Sequence, residues 1–194
     1  MTETHGADSA ADLVEKFMDI VQGCLVGDCR LHSRTGDEVV IVSYSPDELL
    51  SSAIQLFQRT SGEDNFLQLH GGLHYGNILN RGGNYFGTTI NLASRIASKA
   101  TSGTLWCSCD YLDALENKSA LTFHPKGKYA FKNLSEEFEI AELVISELPS
   151  CHIDPVCKMR INEPEKAIRH PGEENTFFCS EHCFSVYLKN TAQE

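Results

Sequence analysis

Three of the cysteines in the last quarter of the sequence, Cys157, Cys179 and Cys183, are spaced C-x21-C-x3-C. Cys179 and Cys183 stand four residues apart, one turn of a helix, so their thiolates can converge on one point. Cys157 follows Asp154-Pro155-Val156, a turn that can bring it alongside. Three thiolates suit a soft or borderline cation, Zn2+ or Cu+. Cys151, His152 and His182 are candidates for a fourth ligand, or the position stays open. The plain alternative is that these cysteines are small buried hydrophobes. A second pattern lies mid-chain. Asn91 and Arg95 share a helix face at i and i+4, ordinarily the mark of a solvated surface. The glycines of RGGNYFG, 81–87, let the backbone turn tightly just before that helix. Asp37 follows Gly36 and precedes the apolar run Val39–Val42, which by itself reads as a turn aspartate.

Helices and strands must position these groups. Leu13, Phe17, Ile20 and Val21 recur at helical spacing and predict a helix over Asp8–Gln22, closed by Gly23 and Gly27. Val39–Val42 predicts a strand. Ser45-Pro46-Asp47-Glu48 is a capping box with proline at the first helical position, opening a helix that ends near Ser61-Gly62. Leu67, Leu69, Gly71 and Leu73 alternate as a strand does, and a turn-rich stretch covers 76–87. Thr89–Ala100 predicts a helix with Ile90, Ala93, Ile96 and Ala97 on its apolar face. A strand at Thr104–Ser108, a short helix at Tyr111–Glu116 and a hairpin of Lys128–Phe131 with Phe138–Val144 follow. The order predicts an α+β domain with one mainly antiparallel sheet. Cys107 and Cys109 fall on the Thr104 strand as core or edge residues, and Cys24 and Cys29 have no evident partners. A second unit begins near Cys151, after Glu147-Leu148-Pro149-Ser150.

The length of 194 residues has room for one medium domain and one small one. The formal net charge of -11 argues against nucleic-acid binding and against docking on an anionic membrane. No apolar run reaches spanning length, and the acidic opening MTETHGADSAAD is not a secretory signal. The expected location is the cytoplasm, with the cysteines mostly reduced.

The segment LQLHGGLHYGNILNRGGNYFGTTINLASRIASKATSGTLWCS resembles the central block of the class III adenylate/guanylate cyclase catalytic domain. GDEVVIVS at 36–43 is similar to that family's second metal-site turn, and GKYAFKNLSEEFEIAEL at 127–143 to its closing hairpin. The resemblance implies a ferredoxin-like cyclase fold over 1–147 and conversion of ATP or GTP to a cyclic nucleotide with loss of pyrophosphate. It implies Asn91 as the ribose-orienting residue and Arg95 as the group stabilising charge on the transferring phosphoryl. Asp37 matches one of two aspartates that hold Mg2+ or Mn2+. The other aspartate belongs on a first strand that precedes the first helix, and no such strand is found here. The chain therefore reads as starting late, because the true start lies upstream, because the gene is truncated, or because something else fills the slot. Ser33 and Asn84 stand at the base-recognition positions and match neither the adenine nor the guanine pattern. His32, Arg34 and Lys132 are nearby cations by alignment. Sites of this family form between two chains, which implies a homodimer or a heterodimer with another cyclase-type chain.

The tail DPVCKMRINEPEKAIRHPGEENTFFCSEHCFSVYLKN resembles a YHS domain, over 151–190. Lys158 replaces a glycine common there in that family. The combined expectation is a cyclase-family signalling protein, inactive alone because one metal aspartate is missing, coupled to a metal-binding module. Its rivals are an active cyclase paired with a complete partner, and a metal sensor or chaperone that keeps the cyclase fold for dimerisation.

Overall fold

The helical spacing of Phe17, Ile20 and Val21 buries all three along α1, Ala7–Cys24, in the computed structural model. The structure describes residues 6–119, 121–132, 134, 136–145 and 152–191. Gly23 lies inside the last turn of α1 rather than closing it, and Gly27, at φ +57, makes the turn beyond. A Cβ on Gly27 would stand 2.1 Å from the Glu48 carboxylate, which accepts the Asp28 N–H at 2.8 Å. Glu48 is thus occupied away from the reciprocal half of the expected capping box. Ser45 Oγ supplies the other half, accepting the Glu48 N–H at 3.3 Å at the start of α2, Pro46–Ser61.

Between these helices lies an antiparallel hairpin, β1 (Arg30–Thr35) and β2 (Glu38–Val42), whose register breaks between Leu31 and Ser33. The polar sequence RLHSRT hid β1 from periodicity, because its side chains are mostly exposed. The strand expected from Leu67 shrinks to β3, Gly71–Leu73, which runs parallel to β6, Leu105–Ser108. With β7 (Phe123–Ala130) and β8 (Glu137–Leu143) these form a sheet in the order β3-β6-β8-β7, antiparallel except for the first pair. Among the described residues β1–β2 is not hydrogen-bonded to that sheet.

The turn-rich stretch folds as a second hairpin, β4 (Leu79–Arg81) and β5 (Asn84–Phe86). Its two-residue loop is Gly82-Gly83, with φ +59 and +83, the double positive φ that a tight hairpin turn requires. Helix α3, Thr88–Lys99, follows at once and lays Leu92 and Ile96 against Trp106, Phe131 and Ile140 of the core. Cys109 is not on a strand as expected. Ser108 accepts the Tyr111 N–H at 3.2 Å as the cap of α4, Cys109–Ala114, so the chain leaves the sheet there.

Two compact units are present. One comprises Gln22–Gln55 and Leu69–Ser146 and holds the elements from β1 to β8 apart from the end of α2. The other takes the described residues of Met1–Val21, Leu56–Gln68 and Glu147–Glu194. This second unit contains β9 (His152–Ile153) paired with β10 (Arg160–Ile161), β11 (Ile168–Arg169) paired with β12 (Phe177–Phe178), and α5 (Glu181–Thr191). Phe17, Phe66, Ile161, Phe178 and Cys183 are among its most deeply buried apolar residues, with rings of His170, Phe184 and Tyr187 packed on Phe178. The expected linker at 147–150 and Cys151 lie outside the described residues.

Candidate functional site

Helix α3 is seated by one glycine. A Cβ on Gly72 of β3 would lie 2.3 Å from Ala97 N and 2.4 Å from Ala93 O, so only glycine lets strand and helix approach this closely. Ala93 and Ala97 therefore face β3, while Thr89, Leu92 and Ile96 are the buried residues of α3. Ile90, expected on the apolar face, is only half-buried, because the helix uses two adjoining stripes. Asn91 is left exposed and Arg95 half-buried on the remaining side. The Arg95 guanidinium donates to the Lys132 carbonyl, which ties it to the end of the closing hairpin.

The other cyclase-type positions sit on the two hairpins. Asp37 is exposed in the β1–β2 turn, and its neighbour Glu38 accepts the Ser94 hydroxyl at 3.3 Å, which brings that turn to α3 beside Arg95. Ser33 on β1 and Asn84 on β5 are exposed, and each adjoins one member of a ring contact, His32 against Tyr85 at 5.4 Å. The fold thus brings β1, β5 and α3 together around these residues. One exposed carboxylate at a hairpin turn does not make a two-metal site. Among the described residues the group of three or more ligand atoms that could hold an ion lies elsewhere, at Asp154, Cys157, Cys179 and Cys183.

In that group every ligand atom lies within 4.8 Å of the others. Cys157 Sγ is 3.5 Å from Cys179 Sγ, which is 3.6 Å from Cys183 Sγ. Tetrahedral zinc with Zn–S near 2.3 Å separates its sulfurs by about 3.8 Å, so the thiol set fits that ion with little movement. Cys179 stands just ahead of α5 rather than within it, and Cys183 lies in the first turn. Ser180 Oγ accepts the Cys183 N–H at 3.2 Å and supports that turn.

Asp154 is the residue that spacing alone did not single out. Fully buried, its carboxylate accepts the N–H of Val156 at 2.8 Å, of Cys157 at 3.1 Å and of Cys179 at 2.8 Å. Burial pushes its pKa up, but the three N–H bonds outweigh that and hold it below the usual carboxylate range. With its lone pairs so occupied, Asp154 orients two thiols and is a poor ligand itself. Its place at the head of Asp-Pro-Val-Cys was the signal available in the sequence. The thiol of Cys179 is driven far above its ordinary pKa by its contact with Cys157, by burial and by Asp154. Burial pushes Cys183 up to about 12. A cation held here would reverse that balance at Cys179 and Cys183 by stabilising their thiolates.

No protein-family model matches the sequence. Over 115 residues the chain is 34% identical to an uncharacterized protein of Mycobacterium tuberculosis, a match covering 59% of this chain and 30% of that one. It is 32% identical over 108 residues to an adenylate cyclase of Glutamicibacter nicotianae, covering 55% of this chain and 27% of the other. Among solved structures it is similar to adenylate cyclases from Trypanosoma brucei in their monomeric state, with TM-score 0.60 and 18% identity over 78% of this chain and 83% of that one. The chain spans under a third of the length of these two curated relatives. Its fold is that of the class III adenylate/guanylate cyclase catalytic domain. Among the described residues no helix is long and apolar enough to cross a membrane.

Proposed function

We propose that this chain is a cyclase-type subunit of cyclic-nucleotide signalling in the cytoplasm, acting on ATP or GTP only together with a second cyclase-type chain. The observation that carries this is the presentation of α3. Leu92, Ile96 and Gly72 anchor one side of the helix and leave Asn91 and Arg95 on the other, within a cyclase fold. Asn91 orients the ribose and Arg95 opposes the charge that develops on the phosphoryl group. Ser33 and Asn84 contact the base. The partner supplies the complete carboxylate pair for Mg2+ or Mn2+, since Asp37 is a single exposed carboxylate here. The 194-residue polypeptide by itself makes no cyclic nucleotide.

The test is complementation. The chain, mixed with a homologous cyclase whose own Asn and Arg are substituted, restores turnover of ATP or GTP with Mn2+. Arg95→Ala removes the rescue, lowering rate on the order of 10²-fold or more. Turnover by this chain alone that depends on Asp37, or rescue that persists in Arg95→Ala, refutes the assignment.

A second reading rests on the sulfur separations. The tail, as a YHS-type module, binds about one Zn2+ or Cu+ through Cys157, Cys179 and Cys183. A metal sensor or chaperone that uses the cyclase fold to pair chains fits the same geometry. Elemental analysis of the purified chain, with Cys183→Ser as control, distinguishes bound metal from cysteines that merely pack.

A further inference from the structure

The loop that carries Cys157 is continuous with the strand that closes the end of α2. Asp154 N–H donates to the Met159 carbonyl at 3.0 Å and Lys158 N–H to the Asp154 carbonyl at 2.9 Å, which shapes 154–159 into a closed loop. The next residue, Arg160, pairs with Phe66 through the backbone: Arg160 N–H donates to Phe66 O at 3.0 Å, and Asn65 N–H to Arg160 O at 2.9 Å. Asn162 then reaches the helix end itself. Its side-chain amide donates to Ser61 O at 3.0 Å and Glu63 O at 2.9 Å, and its N–H to Asp64 Oδ1 at 3.0 Å. Ser61 is the last residue of α2, whose final carbonyls have no partner within the helix. Asn162 supplies one from 101 positions away.

We propose that metal at the thiol cluster acts as a clamp, holding 154–162 in place and thereby fixing the end of α2 and the segment Asp64–Phe66. The proposal rests on the reading that the cluster binds metal. The physical reason is the poverty of the module's own framework. Its strands are two residues long, and so small a unit buries little apolar surface. Thiol contacts are weak hydrogen bonds, and Lys158 holds the loop at φ +64, a conformation its side chain disfavours. A metal joining Cys157 to Cys179 and Cys183 converts binding energy into order of this loop. By linkage, the contacts to α2 must in turn tighten metal binding by the same factor.

Amide hydrogen exchange on the full chain under reducing conditions, with one equivalent of Zn2+ or with chelator, tests this. The amides of Asn65, Arg160 and Asn162 exchange at least about tenfold faster after chelation, while those of Trp106 and Cys107 in β6 keep their rates. Cys157→Ser with Zn2+ gives the chelated pattern. Asn162→Ala, which deletes two hydrogen bonds, weakens Zn2+ affinity about tenfold. Bound Zn2+ with unchanged exchange at the three amides, or undiminished affinity in Asn162→Ala, overturns the clamp and leaves the metal site standing. A chain that retains no Zn2+ after desalting overturns the metal reading and the clamp with it.

Discussion

Asp154→Asn isolates one carboxylate with almost no change of shape. The amide's oxygen can keep the N–H groups of Val156 and Cys157, but its nitrogen then faces the Cys179 N–H, donor against donor. Losing one charge-assisted bond costs about 1.5–3 kcal/mol, and the two retained bonds weaken by about half when the acceptor becomes neutral. The sum is about 3–6 kcal/mol, a large share of what so small a unit has. Urea unfolding followed by far-UV circular dichroism reads the module, and fluorescence of Trp106, the single tryptophan, reads the other unit. At a urea slope near 1 kcal/mol/M, the first transition falls by at least about 3 M while the Trp106 transition stays. The effect also depends on pH. The folded pKa lies below the ordinary 3.8, so the carboxylate's stabilisation is present above that value and is lost as pH falls through the lower folded value. Asp154→Asn lacks that acid-side loss. A variant that unfolds at the wild-type urea concentration at neutral pH would falsify the view that Asp154 organises the two thiols.

Three further outcomes follow from single residues. Lys158→Gly relieves the φ +64 conformation and stabilises the module by about 0.5–1 kcal/mol, checked by the same urea transition. Gly72→Ala forces α3 away from β3 and costs about 2–3 kcal/mol in the Trp106 transition; it also weakens complementation, because Asn91 and Arg95 move with the helix. His74 lies 2.7 Å from Ser108 Oγ, and burial, partly countered by Asp110, holds its pKa below the usual 6.5. The unfolded chain then binds the proton more readily, so stability declines as pH drops through 6.5 toward the folded value, and His74→Gln flattens that slope in thermal melts.

Local chemistry made much of the fold legible. Helices α1, α2 and α3 follow from apolar spacing and from Ser45-Pro46, because a helix buries a stripe that its own period defines. The glycine pair at 82–83 and the i, i+4 placement of Asn91 with Arg95 are equally local. Strand β1 was not legible, since an exposed polar strand carries no alternation to read. The cysteine spacing suggested a convergent thiol set, and the i, i+4 pair a helix face, but the residues that place each of these act across the chain. At the thiols, Asp154 meets Cys179 from 25 positions away and Asn162 meets Ser61 from 101. In the other unit, Gly72 matters because the backbone of α3 passes over it. Composition and period record what a residue does for its own element. Buried hydrogen bonds and close backbone approaches exist only once distant segments share a surface, so tertiary structure alone decided which aspartate and asparagine brace the thiol loop and which glycine seats α3.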